Sequence, residues 1–216
     1  MIRGRGISGT LFLLMGLALT GCSDSTRDKA EATKAKTPVK PPDQYKAAFE
    51  TSKGNFVIEV HREWAPRGAD RFYELIRDGF YNESRFHRVV RNFVVQWGIN
   101  KDPAVSRLWS NLRILDDPPK QSNRKGTVAF AAAGPASRTT QVFINLRDNK
   151  QLDKNLFAPF GEVVSGMDVV ESLYNSYGEM PPRGNGPDPS LIETRGNEYL
   201  ETKFPRLDYI KRVSVN

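Results

Sequence analysis

Arg88 and Gln96 are the two side chains of this sequence whose setting could make them chemically useful. They lie in Phe86-His87-Arg88-Val89-Val90-Arg91-Asn92-Phe93-Val94-Val95-Gln96, where apolar and polar residues alternate at strand period. The alternation returns in Gly126-Thr127-Val128-Ala129-Phe130-Ala131-Ala132-Ala133-Gly134-Pro135 and closes on Thr140-Gln141-Val142-Phe143-Ile144. A guanidinium and a carboxamide therefore sit on a surface otherwise built from Phe, Val and Ala. A mostly apolar floor with a few convergent polar groups is what a small-ligand or peptide pocket needs. The sequence has no Ser/His/Asp arrangement in a nucleophile context, no phosphate-cradling loop and no metal-ligand cluster, so neither a cofactor nor a metal is expected. His87 adjoins Arg88 and must point to the opposite strand face. A buried, hydrogen-bonded imidazole is preferred there over acid–base work.

Short strands must hold these residues. Tyr45 to Thr51 runs into a turn at Ser52-Lys53-Gly54-Asn55, after which Phe56, Ile58 and Val60 alternate with Val57, Glu59 and His61. Pro66 suits a first helical turn and Gly79 a stop, and between them Ala69, Phe72, Tyr73 and Ile76 fall on one stripe. Further strands are expected at 85–90, 93–98, 128–131, 141–144, 160–163 and 207–215, with a second short helix over 167–174. This pattern predicts a mainly β domain over 45–216, a closed antiparallel barrel capped at its ends. Residues 177–205 form a long return to the last strand. Its first half, with Gly184, Gly186, Pro187 and Pro189, reads as loop, and 191–195 and 198–203 as short helices. Packing on the barrel rim is preferred for it over contact with a partner.

The two alternating segments, followed by Leu152-Asp153 and by Phe160-Gly161-Glu162-Val163-Val164-Ser165-Gly166-Met167-Asp168-Val169-Val170, resemble the cyclophilin family of peptidyl-prolyl isomerases. Each segment alone is weak; their order and spacing together are specific. The resemblance implies a closed eight-stranded antiparallel β-barrel capped by two α-helices. It implies that Arg88 is the catalytic donor and that Gln96 orients it and contacts the substrate backbone. Phe93, Val94 and Phe143 would wall the proline pocket, with Leu152 on its floor and Gln141 as a second pocket glutamine. Ala131, Ala132 and Ala133 would form the strand that binds substrate through its main chain, and Phe157 aligns where the family has a pocket histidine. Three departures stand out. Trp97-Gly98-Ile99 replaces the usual Gly-Gly-Asp after the glutamine, and Gln151 stands where many members carry a cyclosporin-binding Trp. The Leu156-Phe157-Ala158-Pro159 run is one residue longer than the family's usual run.

The chain of 216 residues has a formal charge of +7. Part of that charge lies before residue 45, and the domain keeps only a mild surplus with no Lys/Arg block, so nucleic acid is not an expected partner. Met1 to Arg5 is a basic start, residues 11–19 are a short apolar run, and Leu19-Thr20-Gly21-Cys22 looks like a bacterial lipobox. Residues 1–21 are thus read as a lipoprotein signal peptide. Cys22, the single cysteine, is read as the lipidation site. Residues 22–44 are too poor in large apolar groups to bury a core and read as a tether, on the order of 25 Å root-mean-square. The expectation is a monomeric isomerase acting on proline-containing polypeptides in the cell envelope. Its lipid would hold it to a membrane, the outer one with its domain facing the periplasm. The alternative is a low-activity cyclophilin-fold chaperone or proline-peptide binding module.

Overall fold

Strict alternation decides the first hairpin. In β1 (Gln44–Thr51) and β2 (Asn55–His61), Tyr45, Ala47, Phe49, Phe56, Ile58 and Val60 all turn inward and are essentially solvent-free. The structure, a computed structural model, describes residues 40–216; Cys22, the signal segment and the tether to residue 39 lie outside the described residues. β3 (Arg88–Val90), β4 (Val94–Trp97), β5 (Thr127–Phe130), β6 (Val142–Asn145), β7 (Pro159–Ser165) and β8 (Ile210–Val215) complete one sheet in the order β3-β4-β6-β5-β7-β2-β1-β8. Every pairing in it is antiparallel.

The sheet curls into an open half-barrel, not the closed barrel expected from the sequence. Its outer strands β3 and β8 share no ladder. A single bridge, Arg85 to Tyr209, with backbone bonds from Phe86 N to Asp208 O at 3.0 Å and Ile210 N to Ser84 O at 2.9 Å, stitches the seam just before β3. The physical reason is that β3 has three residues and its free edge is already occupied: Val89 bridges Gly178 of the long C-terminal extension. That edge is covered by another segment, so β8 cannot add to it.

The concave face is filled by aromatic side chains. Phe49 stacks on Phe56 with centroids 4.6 Å apart, and Trp97 meets Phe49 and Phe86 edge-on at 5.7 Å. Helix α1 (Pro66–Arg77) buries Ala69, Phe72, Leu75 and Ile76 against this core, starts on Pro66 and stops where Gly79 adopts φ +66°. Helix α3 (Met167–Glu171) is shorter than the expected 167–174 and buries Val170. One of the two further helices, α2 (Pro103–Ser110), was not expected from the sequence. It is capped by Asp102, whose carboxylate accepts from Ala104 N at 2.8 Å. Helix α4 (Pro189–Lys203) is broken at Gly196, so it corresponds to the two short helices read from the sequence.

The extension packs on the rim. Ile192, Tyr199, Leu200 and Leu207 form a second apolar cluster with Ile99, and Tyr177 and Phe204 lean on it. Gly196 lies at φ +60°, and a Cβ there would overlap the carbonyl oxygen of Lys101, which instead accepts from Asn197 N at 3.1 Å. None of the helices among the described residues is long and apolar enough to cross a membrane.

Candidate active site

The polar half of the site is a directed row of hydrogen bonds on the convex side of β3, β4 and β6. Arg88 stands opposite Gln96 in the β3–β4 register, and Gln96 opposite Phe143 in the β4–β6 register. Arg88 Nη1 donates to Gln96 Oε1 at 2.9 Å, and Gln96 Nε2 donates to Gln141 Oε1 at 2.9 Å. A guanidinium has donors only, so it dictates the amide orientation: Gln96 must turn its oxygen to Arg88, which aims its NH₂ at Gln141. Pleating does the rest. Gln96 faces this row while its neighbour Trp97 drops into the core.

The other edge of Arg88 is taken by a residue absent from the sequence reading. Nε donates to Glu179 Oε1 at 2.6 Å and Nη2 to Glu179 Oε2 at 2.7 Å, a bidentate pair across 91 residues of chain. Burial opposes ionisation of Glu179. The hydrogen bonds from Arg88 and Met180 N and the nearby Arg88 and Arg183 charges outweigh it and hold the carboxyl below its ordinary range. Nothing local in Tyr177-Gly178-Glu179 marks this acid; only the bridge of Gly178 to Val89 brings it to β3.

The apolar half is a cluster separate from the main core. Val94, Ala129 and Phe143 are buried at its base, and Phe93, Ala131, Leu152 and Phe157 pack around them while keeping partial exposure. The Arg88 guanidinium lies 5.4 Å over the Phe93 ring, so cation and apolar wall are contiguous. Phe157 meets Phe143 edge-on at 5.7 Å. Leu156 takes φ +60° and stands out at 48% exposure, while Phe157 turns inward.

A buried carboxamide network clamps these walls from behind. Asn149 Nδ2 donates to Phe93 O at 2.9 Å, and Asn123 Nδ2 donates to Phe157 O at 2.8 Å. Asn145 joins the two, donating to Asn123 Oδ1 and accepting from Asn149, and Asp153 holds Asn123 and Ser122. All three asparagines are solvent-free. Buried polar groups tied together like this specify one arrangement of backbone. The sequence signal was the Asn-rich 145–149 stretch, which carries no periodicity.

The structure brings Arg88, Gln96 and Gln141 into one row, and Phe93, Val94, Phe143, Leu152 and Phe157 into one cluster. It does not make a strand of Ala131 to Ala133. β5 ends at Phe130; Ala131 N still donates to Gln141 O at 2.9 Å, but Ala132 and Ala133 lie in a loop. There Ser137 Oγ accepts from Ala133 N and Gly134 N at 2.9 and 3.0 Å, folding the chain back before Pro135 could extend the ladder. His87, just before β3, is buried; burial first, then the adjacent Arg88 charge, push its imidazole down to about 4 against hydrogen bonds with the Gln141 side chain and the Arg85 backbone, so it is neutral near pH 7.

Comparison with known proteins agrees with this fold. The family model described as cyclophilin type peptidyl-prolyl cis-trans isomerase/CLD matches residues 46–187. The chain belongs to that family. It is 36% identical over 136 residues to a peptidyl-prolyl cis-trans isomerase of Acinetobacter baylyi, covering 59% of this chain and 70% of that protein. It is 35% identical over 134 residues to peptidyl-prolyl cis-trans isomerase B of Escherichia coli, covering 58% and 81%. Among solved structures, a Cryptosporidium parvum cyclophilin type isomerase superposes with a TM-score of 0.60 over 80% of this chain and 98% of that one, at 19% identity. The same protein in the presence of the dipeptide Ala-Pro gives 0.59 at 20% identity, over 79% and 98%.

Proposed function

We propose that this protein accelerates rotation about X–Pro peptide bonds of polypeptides in the cell envelope. Family membership and two relatives named as such isomerases support the reaction, and the observation that carries it here is the oriented Arg88 guanidinium beside an apolar cleft. Rotation means twisting an amide against a barrier of about 18–20 kcal/mol set by C–N resonance. No covalent bond is made or broken, so the site needs no nucleophile. It needs an apolar slot for the proline ring, for which Phe93, Val94, Phe143, Leu152 and Phe157 are the candidates. It also needs a donor that favours the twisted amide over the planar one. A donor to the prolyl nitrogen does this, because that nitrogen becomes pyramidal and basic only as conjugation is lost. Each tenfold gain takes about 1.4 kcal/mol off the barrier, within reach of one charged donor in a poorly hydrated cleft. Gln96 and Gln141 fix the donor and offer polar contacts to the substrate main chain, and the Ala131–Ala133 loop borders them.

The envelope location rests on the sequence alone. The basic start, the apolar run and Leu19-Thr20-Gly21-Cys22 support export and lipid attachment at Cys22, with the stretch to residue 44 as tether. The solved relative prepared with Ala-Pro supports proline-containing substrates.

The test is an isomerisation assay on a proline tetrapeptide with the purified protein and Arg88→Ala. The variant should lose about 100- to 1000-fold in kcat/KM, the usual cost of one transition-state donor, with its circular dichroism unchanged. Activity within twofold of wild type would remove Arg88 from the mechanism. Binding of proline peptides without turnover by the wild type would make the protein a binding module.

A further inference from the structure

Resting on that reading, we propose that Glu179 is a positioning residue for the isomerase: it fixes the Arg88 fork and cancels its charge, so that the cleft presents an aligned neutral donor pair instead of a free cation. A guanidinium carries five N–H donors. Among the described residues Glu179 takes those on Nε and Nη2, and Gln96 takes one on Nη1. One N–H on each terminal nitrogen is then unclaimed by any described residue. Both remaining donors are on the terminal nitrogens Nη1 and Nη2. Glu179 thus grips the side of the arginine and leaves its working end open, which is the arrangement of an anchor and not of a plug.

The anchor is itself held. Gly178 bridges β3 at Val89, and Glu179 Oε1 accepts from its neighbour Met180 N at 2.9 Å. The Glu179 carbonyl accepts from Gly186 N at 2.9 Å, and a Cβ at Gly186 would lie 2.8 Å from that oxygen. The loop therefore closes tightly on Glu179. Its start at Tyr177 meets Phe204 edge-on at 5.0 Å in the rim cluster. The paired side chains keep only 15% and 23% exposure. At that burial the pairing persists and screening by salt is weak.

Two consequences separate this role from a structural one. Freeing the fork lowers turnover more than binding, because alignment matters most in the twisted state. Baring the cation makes the cleft prefer acidic residues beside the proline. The experiment compares wild type, Glu179→Gln and Glu179→Ala, all checked by circular dichroism, on Ala-Pro, Glu-Pro and Lys-Pro tetrapeptides. It measures kcat and KM by exchange spectroscopy and Kd by titration. Both variants should lose tenfold to a hundredfold in kcat on Ala-Pro with KM within about threefold, and their Glu-Pro to Lys-Pro preference should rise by about threefold or more. A kcat within twofold and an unchanged preference would overturn the proposal. A rise in kcat would also overturn it, showing that Glu179 blocks Arg88. If the wild type binds the peptides without turning them over, the isomerase reading fails, and the Glu-Pro to Lys-Pro ratio of Kd values still decides Glu179: a shift upholds its charge-setting part, and no shift overturns it.

Discussion

Asn149 donates its side-chain Nδ2 to the backbone carbonyl of Phe93 at 2.9 Å and to Asn145 Oδ1 at 2.9 Å. Phe93 packs in the apolar cluster of the candidate site and lies beneath the Arg88 guanidinium, so a buried amide invisible from the surface holds the backbone of the ring on which Arg88 rests.

Asn149→Ala leaves Asn145 Oδ1 buried without that donor and the Phe93 carbonyl with only the Leu146 N–H at 2.9 Å. A buried group left unsatisfied costs about 1–3 kcal/mol. Calorimetry should show Tm lowered by several degrees, and the isomerase assay a lower kcat as Phe93 loosens. A variant with wild-type Tm would show the clamp to be idle.

His87 makes stability depend on pH. The unfolded imidazole takes up a proton below about 6.5, whereas the buried one refuses it until about 4. Its share of stability is complete above the unfolded value and is lost as pH falls from about 6.5 to about 4, on the order of 3 kcal/mol at most. Urea unfolding at pH 7 and pH 4.5 should reveal the loss, and His87→Gln should flatten it. An identical slope in the variant assigns the dependence to carboxylates instead.

Cyclosporin should bind weakly. Gln151 is exposed on the 3₁₀ turn at Lys150–Asn155, where many cyclophilins present an indole with both apolar area and an N–H donor. Gln151→Trp should tighten binding in a titration, and nanomolar affinity of the unaltered protein would contradict the expectation.

Cys22→Ser should release the protein from the membrane to the soluble envelope fraction, since one residue would carry all the acyl chains that hold it. Isomerase activity should be unchanged. Mass spectrometry of the mature N-terminus decides: an unmodified terminus at a residue other than Cys22 means that the lipobox reading is wrong.

The sequence made legible whatever follows from alternation within one strand. Arg88, Phe93 and Gln96 could be placed on a common face because strand period is local. The helix over 66–77 announced itself through Pro66, Gly79 and one apolar stripe. Openness of the sheet could not be read, because it turns on Gly178 reaching the edge of β3 from far along the chain. Glu179 was hidden for the same reason. The Asn123–Asn145–Asn149 network was hidden because polar residues in loops look alike whether they are solvated or buried. Helix α2 went unread although Asp102-Pro103 is a sound cap-and-start signal, because its exposed Leu108 blurs the apolar stripe.

The two unusual residues after Gln96 acquire a meaning from the rim cluster. Trp97 fills the core and Ile99 seats α4, and between them Gly98, at φ +113°, lets Thr140 come so near that a Cβ would stand 2.5 Å from its carbonyl oxygen. The stretch 97–99 and the segment 177–205 are therefore one design unit split in two by the chain. A hybrid enzyme that borrowed only the tail, or only the strand end, would inherit a knob without its socket. Exchanging both together is the smallest transplant that carries Glu179 to the arginine of another scaffold.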